Sequence, residues 1–156
     1  MQLKVIGIAF LAAAMIAAGR PPAVKVVVIV NSANPVSTMR REQVARMFLR
    51  EVPAWNNGEE ILPVDQLERS PSRITFAREV QLQTVSSLKT YWQQRIFSGN
   101  ESPPPERVSD SDVLTYVRSN AGAIGYVVEG TDLGTGVKPL VITEDDGDPG
   151  AVKKHK

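Results

Sequence analysis

The segment VKVVVIV, residues 24–30, decides the fold class, because it is a run of β-branched residues interrupted only by Lys25. β-Branched side chains favour strands. A hairpin strand with one wet face would alternate apolar and polar residues, whereas this segment is apolar on both of its faces. The sequence therefore predicts a central strand in a sheet that is covered on both sides.

The rest of the chain alternates between strand and helix patterns. Further strands are predicted at residues 61–64, 123–128 and 137–142. Pro63 has no backbone N–H for a sheet, so the first of these is predicted at an edge or at the end of a strand. Helices are predicted to begin near Met39, Ser70, Ser87 and Ser109. Strands that alternate with helices favour a three-layer α/β sandwich around a mostly parallel or mixed sheet.

The first two helices carry different start signals. With Arg40 as N-cap, Met39 and Val44 take the positions of a hydrophobic staple, although arginine is a poor capping residue. Ser70 followed by Pro71 is typical of a helix start, because serine caps the first turn and proline has no N–H to leave unpaired. The second helix is therefore expected to begin at Pro71.

The N-terminal segment has the sequence pattern of an export signal. After Lys4, residues 5–19 are apolar and free of charge, and they end in small residues. This pattern predicts a signal peptide at residues 1–19, with residue 23 as a second candidate for the end of the cleaved segment. A membrane-spanning helix needs about 20 apolar residues, so an uncleaved anchor is the alternative. The expected protein is periplasmic or otherwise exported, with no stable membrane insertion after cleavage.

The remaining chain divides into a domain and a tail. Residues 24–143 contain all the predicted strands and helices, and we expect them to form one domain. Residues 144–156 are first acidic and then basic, with two glycines and a proline. Such a composition is typical of a disordered tail.

Composition excludes several classes of function. The chain has 156 residues, no cysteine and a single histidine, His155, near the C-terminus. Cysteine nucleophiles, thiolate metal sites and disulfides are therefore impossible, and no Ser-His pair can form in the core. A formal charge of +1 provides no field to gather nucleic acid. We expect no enzyme, no cofactor, no metal site and no nucleic-acid partner; an Asp65–Glu68 carboxylate pair is the remaining catalytic alternative.

Five segments in order resemble the second lobe of the phosphate-binding proteins of ABC transporters. The segments are VVVIVNSANPVS (26–37), VARMFLREVPAWNNG (44–58), ILPVDQLERSPSRITF (61–76), YWQQRIFSG (91–99) and SDVLTYVRSNAGAIGYV (111–127). The chain is more similar still to the short single-lobe members of this type 2 periplasmic substrate-binding superfamily. The resemblance covers roughly residues 24–128 and implies a single lobe of the periplasmic binding protein-like II fold. It also implies an exported solute-binding domain.

The resemblance points to an oxyanion site at the second helix. That family binds the oxyanion at a glycine-rich, serine-containing turn that opens a helix, where N–H groups and the helix dipole favour negative charge. In the matching stretch, Ser70 stands at the family's serine, Pro71 at its glycine and Ser72 at its threonine. The family's arginine, four residues before that serine, is matched by Gln66. Two hydroxyls are kept, while one N–H and one charge are lost.

Two arginines flank this turn and could replace the lost charge with forked donors. Glu68, close by, would repel an anion. The candidate oxyanion ligands are Ser70, Ser72, Arg73 and Arg69. Ordinary helix capping by Ser70 is the alternative.

The length of the chain has a consequence for ligand binding. Two-lobed binders enclose their ligand between lobes, and this chain is too short to include the first lobe. A niche at one helix end buries little of a small anion. The resemblance therefore implies that a second subunit or a membrane-protein partner supplies the opposite wall. The alternative is a periplasmic protein-interaction module that reuses the lobe without transporting a ligand.

Overall fold

The computed structural model describes residues 23–99 and 101–144, so the predicted signal peptide and nearly all of the predicted tail lie outside the described residues. The strands are β1 (Val26–Asn31), β2 (Thr38–Arg40), β3 (Leu62–Pro63), β4 (Asp65–Gln66), β5 (Glu106–Arg107), β6 (Ala123–Val128) and β7 (Val137–Thr143). The helices are α1 (Arg41–Phe48), α2 (Pro71–Glu79), α3 (Val85–Phe97) and α4 (Asp110–Ser119). None of these helices combines the length and the apolar content that a membrane crossing requires.

The main sheet has the strand order β2-β7-β1-β6-β3, which places β1 at its centre as predicted. β1 pairs antiparallel with both β6 and β7, whereas β2 pairs parallel with β7 and β3 pairs parallel with β6. Four strands of this sheet therefore run in one direction and β1 runs opposite to them. The predicted mixed sheet is confirmed, and β3 with Pro63 forms its edge. β4 and β5 form a separate two-stranded parallel sheet.

Helices cover both faces of the main sheet. Consecutive side chains of β1 point to opposite sides of the sheet, so the two faces of this strand pack against different helices. Val28 and Val30 pack in one cluster with residues of α1 and α2, including Phe48 and Phe76. Ile29 packs in a second cluster with residues of α4. The predicted three-layer α/β sandwich is confirmed, since the central strand buries apolar side chains against both helical layers.

The helix starts follow the local signals in the sequence. Arg40 is the N-cap of α1 and makes no capping hydrogen bond with its side chain, in keeping with its poor capping chemistry. The Ser70 hydroxyl caps α2 by accepting a hydrogen bond from the N–H of Arg73 at 3.0 Å. α3 begins two residues before the predicted Ser87, because Thr84 caps it by accepting from the Ser87 N–H at 3.0 Å.

Candidate functional site

The first turn of α2 uses most of its own hydrogen-bond donors. Pro71, at the first helical position, has no N–H. The N–H of Arg73 donates to the Ser70 hydroxyl at 3.0 Å, and that hydroxyl lies 3.4 Å from Oε1 of Gln66, to which it donates. Among the described residues, the N–H of Ser72 has no acceptor in this turn. This helix start therefore leaves one backbone N–H of its first turn, on the buried Ser72, without an acceptor among the described residues, where a glycine-rich turn would leave several.

The side chain of Arg73 is buried and is paired with another buried residue. Its Nη2 lies 3.2 Å from Oδ2 of Asp65, and its Nη1 donates to Oε1 of Gln81 at 2.8 Å. Less than one tenth of the Arg73 and Asp65 side chains is exposed. The charge that the sequence suggested for an oxyanion is therefore neutralised inside the protein by Asp65.

Asp65 is held by further hydrogen bonds on its other carboxylate oxygen. Oδ1 accepts from the backbone N–H of Gln66 at 2.8 Å and from the hydroxyl of Tyr126. Burial is the largest influence on Asp65 and raises the pKa of its carboxyl group, while the charge of Arg73 and both hydrogen bonds act in the opposite direction. Burial also raises the pKa of the Tyr126 hydroxyl far above its ordinary range. The hydroxyl therefore stays protonated and acts as a donor to Asp65.

Gln66 is a buried structural residue at the position that the resemblance matches to the family's arginine. Its Nε2 donates to Oδ1 of Asp110 at 2.9 Å and to the carbonyl oxygen of Tyr126 at 2.9 Å. Asp110 is the first residue of α4, so this amide joins β4 to the start of α4 and to β6. A neutral amide serves these contacts without adding a second buried positive charge beside Arg73.

The four predicted site residues differ in accessibility. Arg69 is exposed, Ser70 is half-buried, and Ser72 and Arg73 are buried. The capping hydrogen bond joins Ser70 and Arg73. Arg69, the residue before Ser70, lies at the surface. In residues 23–99 and 101–144, no group of histidine and carboxylate side chains is arranged to hold a metal ion.

Sequence reasoning missed the residues that pair with this turn. The sequence indicates Asp65 only as part of a carboxylate pair with Glu68, and nothing in it marks Gln81 or Tyr126 as functional. The position of Asp65 directly after the predicted strand 61–64 was the one available clue. The stacking of Tyr126 on Phe76, with ring centroids 4.1 Å apart, depends on the contact between β6 and α2 and leaves no mark in the local sequence.

Comparison with known proteins gives matches in structure alone. No protein-family model matches the chain, and no curated protein sequence matches it. Among solved structures, the chain is similar to an ABC-type phosphate transport receptor from Vibrio cholerae, with 22% identity and a TM-score of 0.58. It is also similar to a putative phosphate ABC transporter substrate-binding protein with bound phosphate from Clostridium perfringens, with 16% identity and a TM-score of 0.59. PstS from Borrelia burgdorferi matches with 13% identity and a TM-score of 0.58.

These matches cover most of this chain and less than half of each similar structure. They include 75%, 75% and 76% of this chain and 45%, 44% and 47% of the respective receptors. The chain therefore spans less than half of their length. The predicted fold, a single lobe of the periplasmic binding protein-like II type, is confirmed by this likeness.

Proposed function

We propose that the chain is an exported, non-catalytic solute-binding-type domain that contacts a small oxyanion such as phosphate at the start of α2. The observation that carries this proposal is the shared fold with phosphate receptors, one of which holds bound phosphate. Because the match covers less than half of those receptors, the proposal includes a second subunit or a membrane-protein partner as the opposite wall of the site.

Within the proposed site, the residues have two kinds of role. The N–H and hydroxyl of Ser72 and the exposed guanidinium of Arg69 are the donors proposed to meet the anion, aided by the dipole at the start of α2. Ser70 and Arg73 contribute by holding the turn, through the capping bond and the pair with Asp65. Glu68 is paired with Lys89 at 3.1 Å, which reduces its repulsion of an anion.

The second candidate function is a protein-interaction module that binds no solute. Two observations favour it: the donors of Ser70 and Arg73 are used internally, and two large apolar side chains at the end of α3 face the solvent. The exposed fractions are 55% for Ile96 and 96% for Phe97. Exposed apolar side chains are common at protein interfaces.

Oxyanion binding is tested by two substitutions at the start of α2. Ser72→Ala and Arg69→Ala are each expected to weaken phosphate binding by about tenfold, because each removes one donor to a charged ligand. Calorimetry with the full chain at physiological salt measures the affinity, and the melting temperature of each variant confirms folding. Arg46→Ala is the control, since Arg46 lies on α1 and is paired with Glu51 at 3.1 Å.

Two outcomes would contradict this site. If the wild-type chain shows no saturable response to phosphate or sulfate, the start of α2 is a helix cap only and the interaction module becomes the better proposal. If Arg46→Ala weakens binding as much as the other two substitutions, the attraction is diffuse and depends on overall positive charge.

Export is tested by the mass of the protein recovered outside the cytoplasm. We expect an N-terminus near Arg20 or Val24, because the apolar run at residues 5–19 is the proposed signal peptide. A charge in that run, Leu11→Arg, is expected to block export. Recovery of the wild-type chain only at full length in the cytoplasm would refute the proposal.

A further inference from the structure

A cleft of about 250 Å³ lies between α3 and the segment that leads into β5. One wall is apolar and includes Trp92 of α3 together with Pro103 and Pro104. The volume is below the range of about 300 to 1,000 Å³ that is usual for drug-sized ligands. The cleft is therefore suited to a small molecule or to one side chain of a partner.

The charged side chains of the cleft pair with one another except for one carboxylate. Three carboxylates and two cationic groups line it. Asp65 is paired with Arg73 at 3.2 Å, and Glu68 is paired with Lys89 at 3.1 Å. These pairs leave the fifth charge, Glu106, as the net negative charge of the cleft.

Glu106 is exposed at the cleft and has no ion-pair partner among the described residues. No lysine or arginine of the described residues lies within 4.0 Å of its carboxylate. Loss of solvation is the largest influence on Glu106 and raises the pKa of its carboxyl group; the negative charges of Asp65 and Glu68 also raise it, while the positive charges of Arg73 and Lys89 act in the opposite direction. A cation placed beside this carboxylate would relieve that repulsion, whereas an anion would increase it.

We propose that this cleft binds an alkylammonium group, with the charge at Glu106 and the apolar stem against Trp92 and the two prolines. The ammonium supplies the missing opposite charge, and the stem gains contact with the apolar wall. The cleft shares Asp65 and Arg73 with the turn of the proposed oxyanion contact, but neither Ser72 nor Arg69 lines it. A free amine and a lysine side chain of a partner protein share this chemistry.

The ligand class is tested by titrating the full chain with three five-carbon compounds. In amide and indole NMR spectra, n-pentylamine is expected to cause saturable shifts at Glu106 and at the indole N–H of Trp92. Pentan-1-ol lacks the charge and pentanoate reverses it, so both are expected to bind at least about tenfold more weakly. No saturable response to n-pentylamine, or an equal response to pentanoate, would overturn the proposal.

Two substitutions of opposite expected effect test the role of charge. Glu106→Gln is expected to weaken n-pentylamine binding by about tenfold or more. Lys89→Met is expected to strengthen it, because Glu68 then loses its internal partner and the cleft gains negative charge. Glu129→Gln is the matched control and should leave binding unchanged, since Glu129 lies 4.0 Å from Lys25 and outside the cleft.

Other outcomes with these variants decide between the cleft and a general charge effect. Unchanged binding in Glu106→Gln, or an equal loss in Glu129→Gln, would refute the cleft as the site. Tighter binding of a lysine-containing peptide than of n-pentylamine would identify a partner's lysine as the source, and the reverse order would identify a free amine. Phosphate binding can fail in its own experiment without affecting these results.

Discussion

Ile29→Asp is expected to leave the chain without a stable fold. Ile29 is fully buried in the central strand β1 and packs against the residues of α4. A carboxylate at this position would be buried without a partner, which costs several kcal/mol. The total stability of a domain of this size is about 5 to 15 kcal/mol, so this one substitution removes a large share of it.

A matched substitution at the surface separates this effect from a general effect of added charge. Val141 lies on β7 of the same sheet and is 58% exposed. Val141→Asp is therefore expected to keep the fold. Circular dichroism and urea denaturation measure both variants. A cooperative unfolding transition of Ile29→Asp close to that of the wild type would show that residue 29 is not in the core.

Asp65→Asn is expected to lower the free energy of unfolding by about 3 to 5 kcal/mol, because it leaves the buried guanidinium of Arg73 without an opposite charge. Asparagine has nearly the same shape, and its carbonyl oxygen can still accept the hydrogen bonds from Gln66 and Tyr126. Its Nδ2 then faces Nη2 of Arg73, donor against donor, so the loss of stability would report the charge and the hydrogen bond of the Asp65–Arg73 pair and not the packing. Urea denaturation at neutral pH measures it.

Two further variants make this experiment specific. Adding Arg73→Met to Asp65→Asn removes the stranded charge, so the double variant is expected to be more stable than Asp65→Asn alone. Glu68→Gln breaks an ion pair whose side chains are about half exposed, and its effect is expected to stay below about 1 kcal/mol. An unchanged unfolding free energy in Asp65→Asn would mean that Asp65 is already protonated in the folded protein.

The sequence alone determined the parts of the fold that depend on local chemistry. The central strand followed from apolar residues on both of its faces, and the edge strand followed from the missing N–H of Pro63. The start of α2 followed from Ser70 and Pro71. These signals act over a few neighbouring residues, so one sequence is sufficient to read them. The order of the five quoted segments also predicted the fold, because it reflects the whole path of the chain.

Only the tertiary structure decided which side chains meet. The antiparallel direction of β1 depends on strands that lie far away in the chain, and local propensity contains no information about them. The pair of Asp65 with Arg73 depends on the turn from β4 into α2 and on the burial of both side chains. Sequence reasoning treated Arg73 as a free donor, since the spacing of residues shows which charges are present but not which of them neutralise one another. The sequence could not single out Glu106 either. Only the folded structure shows that the other four charged side chains of its cleft form ion pairs and that Glu106 does not.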